Sequence, residues 1–227
     1  MKIPAQIEGD VNSSLRRRAW ARTNVADRMQ PFFAYLRPVV EAENQRITNL
    51  HRRLVAARQR QSSPPWVGAV AASHGLDWTG RDWEELLKRI DITPLLLVLA
   101  KSANESNWGQ SRFARQGNNM FGQWCSHKGC GLVPNRPESG KQHEVAAFET
   151  VNASVRSYLK NINSNRAYGR LRDLRQRARR RGERPTAEDL AAGLEPYSQR
   201  GMAYVNDIRA MIRLNRALMS MQPLATP

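Results

Sequence analysis

The stretch Leu95-Leu-Leu-Val-Leu-Ala-Lys-Ser-Ala-Asn-Glu-Ser-Asn-Trp-Gly109 constrains the fold more than any other part of the chain. Residues 95–100 are apolar all round, which demands a helix enclosed by other elements rather than one lying on a surface. Thr93 is placed to cap its N-terminus, Pro94 suits the first helical position, and Gly109 stops it. Near its end stands one carboxylate, Glu105, with Trp108 close by in sequence. A carboxyl leaving an apolar helix beside an aromatic ring is expected to have its charged form disfavoured, as suits a general acid near neutral pH. Glu105 is therefore the candidate catalytic group.

The rest of the chain provides enough material to enclose such a helix. At 227 residues, 41% hydrophobic and 25% charged, it has the composition of a folded globular protein. No run approaches the roughly 18 apolar residues of a membrane span. The N-terminus, Met1-Lys-Ile-Pro-Ala-Gln-Ile-Glu8, lacks the apolar segment of a cleavable signal peptide. Residues 1–24 read as a flexible basic lead-in, 25–60 as a helical arm and 66–220 as the catalytic domain. In the arm Val40, Ile47, Leu50 and Leu54 recur at helical spacing, with a kink or restart expected at Pro38. Gln61-Ser-Ser-Pro-Pro65 is a linker, and short helices are expected over 66–73 and 82–90.

Beyond Gly117, which is expected to close a short helix, glycine and proline punctuate residues 118–149. The weak alternation in His143-Glu-Val-Ala-Ala-Phe148 suits a small β excursion. Thr150 opens the next helix, Thr186-Ala-Glu-Asp189 fits a capping box, and a final helix runs through Tyr204 towards Met219. Cys125 and Cys130 admit three readings: a small-loop disulfide, two free thiols, or half of a metal site with His127 and His143.

The net charge of +16 comes from 36 basic and 20 acidic residues, and 30 of the basic ones are arginine. Nine arginines fall between Arg166 and Arg184, read as a solvated helix, whereas residues 91–150 carry an excess of only one. Charge so distributed steers the protein towards an anionic polymer without entering the chemistry. Nucleic acid and bacterial cell wall both qualify. No recognition-helix or stacking pattern accompanies Arg16–Arg18 or Arg166–Arg184, which counts against nucleic acid.

Ala103-Asn-Glu-Ser-Asn-Trp-Gly-Gln-Ser-Arg-Phe-Ala114, followed by Gly117-Asn-Asn-Met-Phe-Gly-Gln-Trp124, resembles the glucosaminidase family of peptidoglycan hydrolases. The bacterial Bax-type members fit more closely still. They are also matched by Gln123-Trp-Cys125, Gly129-Cys-Gly-Leu-Val-Pro134, His143–Phe148, Ser154-Val-Arg-Ser-Tyr158, Tyr197-Ser198 and Tyr204-Val-x-x-Ile-x-x-Met-Ile212.

The resemblance implies a mainly α, lysozyme-like (α+β) domain with a small β excursion and an N-terminal helical arm. Its implied activity is cleavage of the β-1,4 bond after N-acetylglucosamine in peptidoglycan glycan strands. Glu105 matches the family's acid, Glu144 its second carboxylate (with Glu149 as competitor), and Tyr197 a tyrosine near the active site. If Glu144 is the base, the two carboxylates should stand about 6.5–9.5 Å apart, and if it is too distant the substrate's N-acetyl group could assist instead. Candidate substrate contacts are Trp108, Asn118, Asn119, Phe121, Gln123, Trp124 and Tyr158. Asn118 and Asn119 also suit a turn, and the aromatics a core. No metal or cofactor is implied, the protein is expected to act as a monomer, and the family places it in the periplasm or envelope. A lytic transglycosylase or muramidase is the nearest alternative enzyme.

Overall fold

A computed structural model describes residues 24–134 and 144–221. Residues 1–23 of the lead-in, with Arg16–Arg18, and His143 lie outside the described residues. The fold is mainly α with one small sheet. Helices α1 (Val25–Gln59), α2 (Pro65–Ser73), α3 (Trp83–Arg89), α4 (Leu95–Ser106) and α5 (Arg112–Gly117) precede the strands. Strands β1 (Trp124–Cys125), β2 (Gly131–Leu132) and β3 (Glu144–Ala146) form an antiparallel sheet in the order β1-β3-β2. Helices α6 (Val151–Ser164), α7 (Gly169–Arg180), α8 (Ala187–Ala191) and α9 (Met202–Ser220) follow, with 3₁₀ turns at Arg166–Tyr168 and Ala192–Tyr197.

Helix α4 is the hub, as its composition requires. Leu97, Val98, Leu99 and Ala100 are fully buried, and α1, α8 and α9 pack around it. Burying a leucine or valine side chain contributes roughly 1.5–3 kcal/mol. The helix begins one residue later than its sequence suggests. Pro94 is the N-cap, and buried Thr93 is held from outside by Asn44, whose Oδ1 accepts from the Thr93 N–H and whose amide donates to the Thr93 carbonyl.

One expectation for the arm gives way: helix α1 is continuous through Pro31 and Pro38, so the chain does not restart there. Phe32, Phe33, Leu36, Val39 and Val40 belong to the same core as α4, and Arg156 of α6 grips buried Glu43 with both arms of its guanidinium (2.8 and 3.0 Å). Packing along this face outweighs the hydrogen bond each proline removes. Farther along, Leu54 and Ala57 join Val67, Ala71, Leu86 and Ile90 in a second, smaller core with α2 and α3.

The arginine-rich stretch is likewise more than a solvated face. Arg172 and Arg175 of α7 are buried. Arg172 donates to the carbonyls of Ile162 and Asn165, and Arg175 to those of Lys88, Asp91 and Ile92 and to Asn163 Oδ1. These bonds tie α7 to the ends of α6 and α3. Gly193 lets the second 3₁₀ turn lie directly on α7, because a Cβ there would stand 2.4 Å from the Leu171 Cα. Thr150 and Thr186 cap α6 and α8 by accepting from Ala153 N and Asp189 N. Asn118, not Gly117, takes the left-handed residue that ends α5.

Candidate active site

Glu105 reaches the surface where α4 stops, and the stop is built by its neighbour Ser106. The buried Ser106 hydroxyl donates to the Ser102 carbonyl (2.7 Å) and accepts from Gly109 N (2.8 Å). Asn107, Trp108 and Gly109 all take positive φ, so the chain reverses sharply. That reversal drives Trp108 into the core, edge-on to Phe32 and Phe33 at 5.9 and 5.4 Å. Trp108 is not among the residues lining the groove, and it does not wall Glu105 as its position in sequence suggests.

What surrounds Glu105 instead is polar. Its Oε1 lies 2.9 Å from the ammonium of Lys101, one turn earlier on α4, and accepts from the Tyr204 hydroxyl of α9 at 2.8 Å. Lys101 is wholly buried, with its ammonium 3.1 Å from the ring centroid of Tyr197. Burial lowers the lysine's pKa to about 7. It also raises the pKa values of Tyr197 and Tyr204 well above the ordinary phenol, so both remain donors. Tyr197 donates to the Phe121 carbonyl (2.9 Å).

Glu105 Oε2 faces Gly122. A Cβ on Gly122 would stand 3.5 Å from that oxygen and 3.9 Å from the Tyr197 hydroxyl, and its φ of +62° also requires glycine. Around these atoms opens a groove of about 510 Å³, lined also by Phe121, Gln123, Trp124, Ser157, Tyr158 and Asn161. Trp124 is 61% exposed, an apolar surface suited to stacking on a sugar. Gln123 donates to Ser157 Oγ (2.8 Å). Phe121 and Tyr158 stack in parallel at 4.0 Å and are almost completely buried, so they form the floor.

The two asparagines brace the loop behind the groove. Asn118 donates to the Phe148 and Glu149 carbonyls. Buried Asn119 donates to the Gln123 and Ala146 carbonyls and accepts from Phe121 N and Gln123 N. Neither lines the groove.

Cys125 and Cys130 are joined in a disulfide that closes the β1–β2 loop. Their sulfurs, bonded to each other, are not available as thiolate ligands. Glu144, the first residue of β3, turns its carboxylate onto this loop, and its two oxygens accept from Gly129 N (2.9 Å) and Gly131 N (2.8 Å). Those bonds hold its carboxyl below the usual carboxylate range. Glu144 does not line the groove, and among the described residues Glu105 is the single carboxylate that does.

Lys101, Tyr204, Ser157, Asn161 and Gly122 are site residues that the sequence reading passed over. Lys101 had a visible signal, its i,i+4 spacing to Glu105, which puts both on one helix face. Ser157 and Asn161 share such a spacing on α6. Tyr204 stood in a helical stripe and in a block shared with the Bax-type members, but only the fold brings α9 to the end of α4 and its hydroxyl to Glu105.

A family model described as mannosyl-glycoprotein endo-beta-N-acetylglucosaminidase matches residues 80–217. The chain is also similar to Protein bax of Escherichia coli (strain K12). The two are 30% identical over 201 residues, which cover 85% of this chain and 72% of that protein. No solved structure matches the chain significantly.

Proposed function

The chain belongs to the glucosaminidase family, and on that premise we propose that it is an endo-β-N-acetylglucosaminidase of peptidoglycan, acting in the cell envelope. The observation that carries the reading is Glu105, with one oxygen held by Lys101 and Tyr204 and the other turned to the open groove. Protonated on Oε2, it donates to the glycosidic oxygen between two sugars. The carboxylate left behind is stabilised by the ammonium and phenol already in place, with no reorganisation at the moment of reaction. Tyr197 positions Lys101 beneath its ring and anchors the Phe121–Trp124 loop. Trp124 offers a sugar platform, while Gln123, Ser157 and Asn161 offer hydrogen bonds to hydroxyl and acetamido groups.

Sugar oxocarbenium chemistry also needs stabilisation of positive charge. Glu144, with both oxygens engaged by backbone amides, acts in this reading as the clamp of the disulfide loop. The substrate's own N-acetyl oxygen then bonds to C1 as the C1–O bond to the protonated leaving sugar breaks, and water opens the resulting ring at C1 while the Glu105 carboxylate takes its proton, as in substrate-assisted glycosidases. Glu144→Gln separates the two roles. As a clamp it is expected to raise KM, leave kcat within about tenfold and speed amide exchange at Gly129 and Gly131. As a base it would cost kcat about 10²–10⁴-fold. The clamp is fully present above the ordinary glutamate value of 4.5 and is lost as pH falls through the lower value that the amides impose.

Digestion of purified sacculi followed by mass spectrometry tests the activity. Reducing N-acetylglucosamine ends are expected. Anhydro-muramic ends would assign a lytic transglycosylase and reducing muramic acid ends a muramidase, and either result overturns the reading.

A further inference from the structure

A second cavity, of about 780 Å³, lies between the later half of α1, helix α3 with the segment after it, and α7 with the turn that follows. It shares no lining residue with the groove at Glu105. Seven arginine or lysine side chains line it against two carboxylates. Both carboxylates are engaged: Asp91 takes both arms of Arg179 (3.0 and 3.1 Å), and Glu84 pairs with Arg180 (3.1 Å). Lys88 is paired with Asp173 (2.6 Å). Buried Arg175 gives its hydrogen bonds mostly to backbone carbonyls and stands 3.6 Å from Asp91 Oδ2, a carboxylate it shares with Arg179, so the wall keeps a net positive charge.

Three guanidinium groups at this cavity, those of Arg52, Arg58 and Arg184, have neither an ion-pair nor a hydrogen-bond partner among the described residues. Two come from α1 and one from beyond the end of α7, so the tertiary fold brings them to one opening. Holding like charges together costs free energy unless an anion joins them, and a concave wall concentrates their field.

We propose that this cavity is an anion site that takes paired phosphate groups, carried by a phosphodiester-linked sugar or polyol chain. The planar guanidinium fork binds oxyanions two oxygens at a time, and three unpaired forks at one opening suit the successive charges and numerous oxygens of linked phosphates better than a lone carboxylate, which one fork satisfies. No phenylalanine, tyrosine or tryptophan lines the cavity, so it lacks the broad aromatic platforms on which single-stranded bases stack, and this favours a polyol or sugar phosphate over a nucleic acid. The site would hold the protein on a phosphate-bearing polymer while the groove at Glu105 works on a neighbouring glycan. It stands on its own residues and does not require the glycosidase reading.

The test is calorimetric titration of the full chain at low salt with a glycerol phosphate oligomer, inorganic tripolyphosphate, a single-stranded oligonucleotide and a neutral chito-oligosaccharide. Saturable binding of the glycerol phosphate oligomer is expected, weakening steeply with salt. The Arg52→Ala/Arg184→Ala variant should lose about tenfold or more in affinity. An Arg53→Ala/Arg213→Ala control removes the same charge outside the cavity, including the guanidinium that sits over Trp66, and should bind as the parent does. Glu105→Gln should also bind normally, which separates failure of this site from failure of the catalytic reading. Tripolyphosphate binding as tightly as the oligomer would assign the site to free phosphates. Equal losses in variant and control, no saturable binding, or a preference for the oligonucleotide would overturn the proposal.

Discussion

Glu105→Gln is expected to reduce hydrolysis of peptidoglycan by about 10²–10⁴-fold while leaving the fold intact. The exchange removes the dissociable proton and little else. The amide oxygen can still accept from Tyr204, and the side chain keeps its size. Lys101 loses its anionic partner, but burial already lowers its pKa to about 7 and loss of the Glu105 charge lowers it further, so the buried amine can turn neutral. Far-ultraviolet dichroism and the thermal midpoint should therefore stay close to the parent while dye release from labelled sacculi stops. A variant keeping more than about a tenth of the parent activity would remove Glu105 from the chemistry.

Lys101→Met should have the second largest effect, with an unusual combination of signs. Loss of the cation 2.9 Å from Oε1 removes the charge that stabilises the carboxylate after proton donation, so kcat is expected to fall about 10–100-fold. Stability should move the other way. The lysine's folded value of about 7 lies below its ordinary 10.5, so between those pH values the unfolded chain binds more protons and stability rises with pH. The destabilisation is complete below pH 7 and gone above 10.5. Methionine removes it, so the variant should be more stable at neutral pH, on the order of a few kcal/mol, and the two stability curves should converge near pH 10.5. Lower activity with higher stability at neutral pH distinguishes an electrostatic role from structural damage. A variant that loses both, or neither, would refute it.

The elements legible in the chain were those whose signal is local. The enclosed α4, the caps at Thr150 and Thr186, the break after Ser73 and the helix from Met202 follow from periodicity and from side chains that bond their own backbone. Errors clustered where distant segments meet. Pro38 reads as a break, yet α1 passes through it because its Phe32–Val40 face is buried on α4 and its neighbours. The arginines of α7 read as solvated, yet Arg172 is buried against carbonyls at the end of α6 and Arg175 against carbonyls of Lys88, Asp91 and Ile92, more than eighty residues earlier.

The site divides along the same line. The sequence alone determined that an apolar helix ends in Glu105, that a loop from Gly117 to Trp124 follows and that two cysteines bracket a short turn. Those facts rest on neighbours in the chain, whose spacing is written into it. Only the tertiary structure decided the partners of that carboxylate. It sends Trp108 inward through three successive left-handed residues, brings Tyr204 and Tyr197 to Glu105 and Lys101, and commits Glu144 to two backbone amides. The physical reason is that a hydrogen bond or ion pair acts over about 3 Å in space, whereas residues about a hundred apart in sequence meet only through the packing of the whole core.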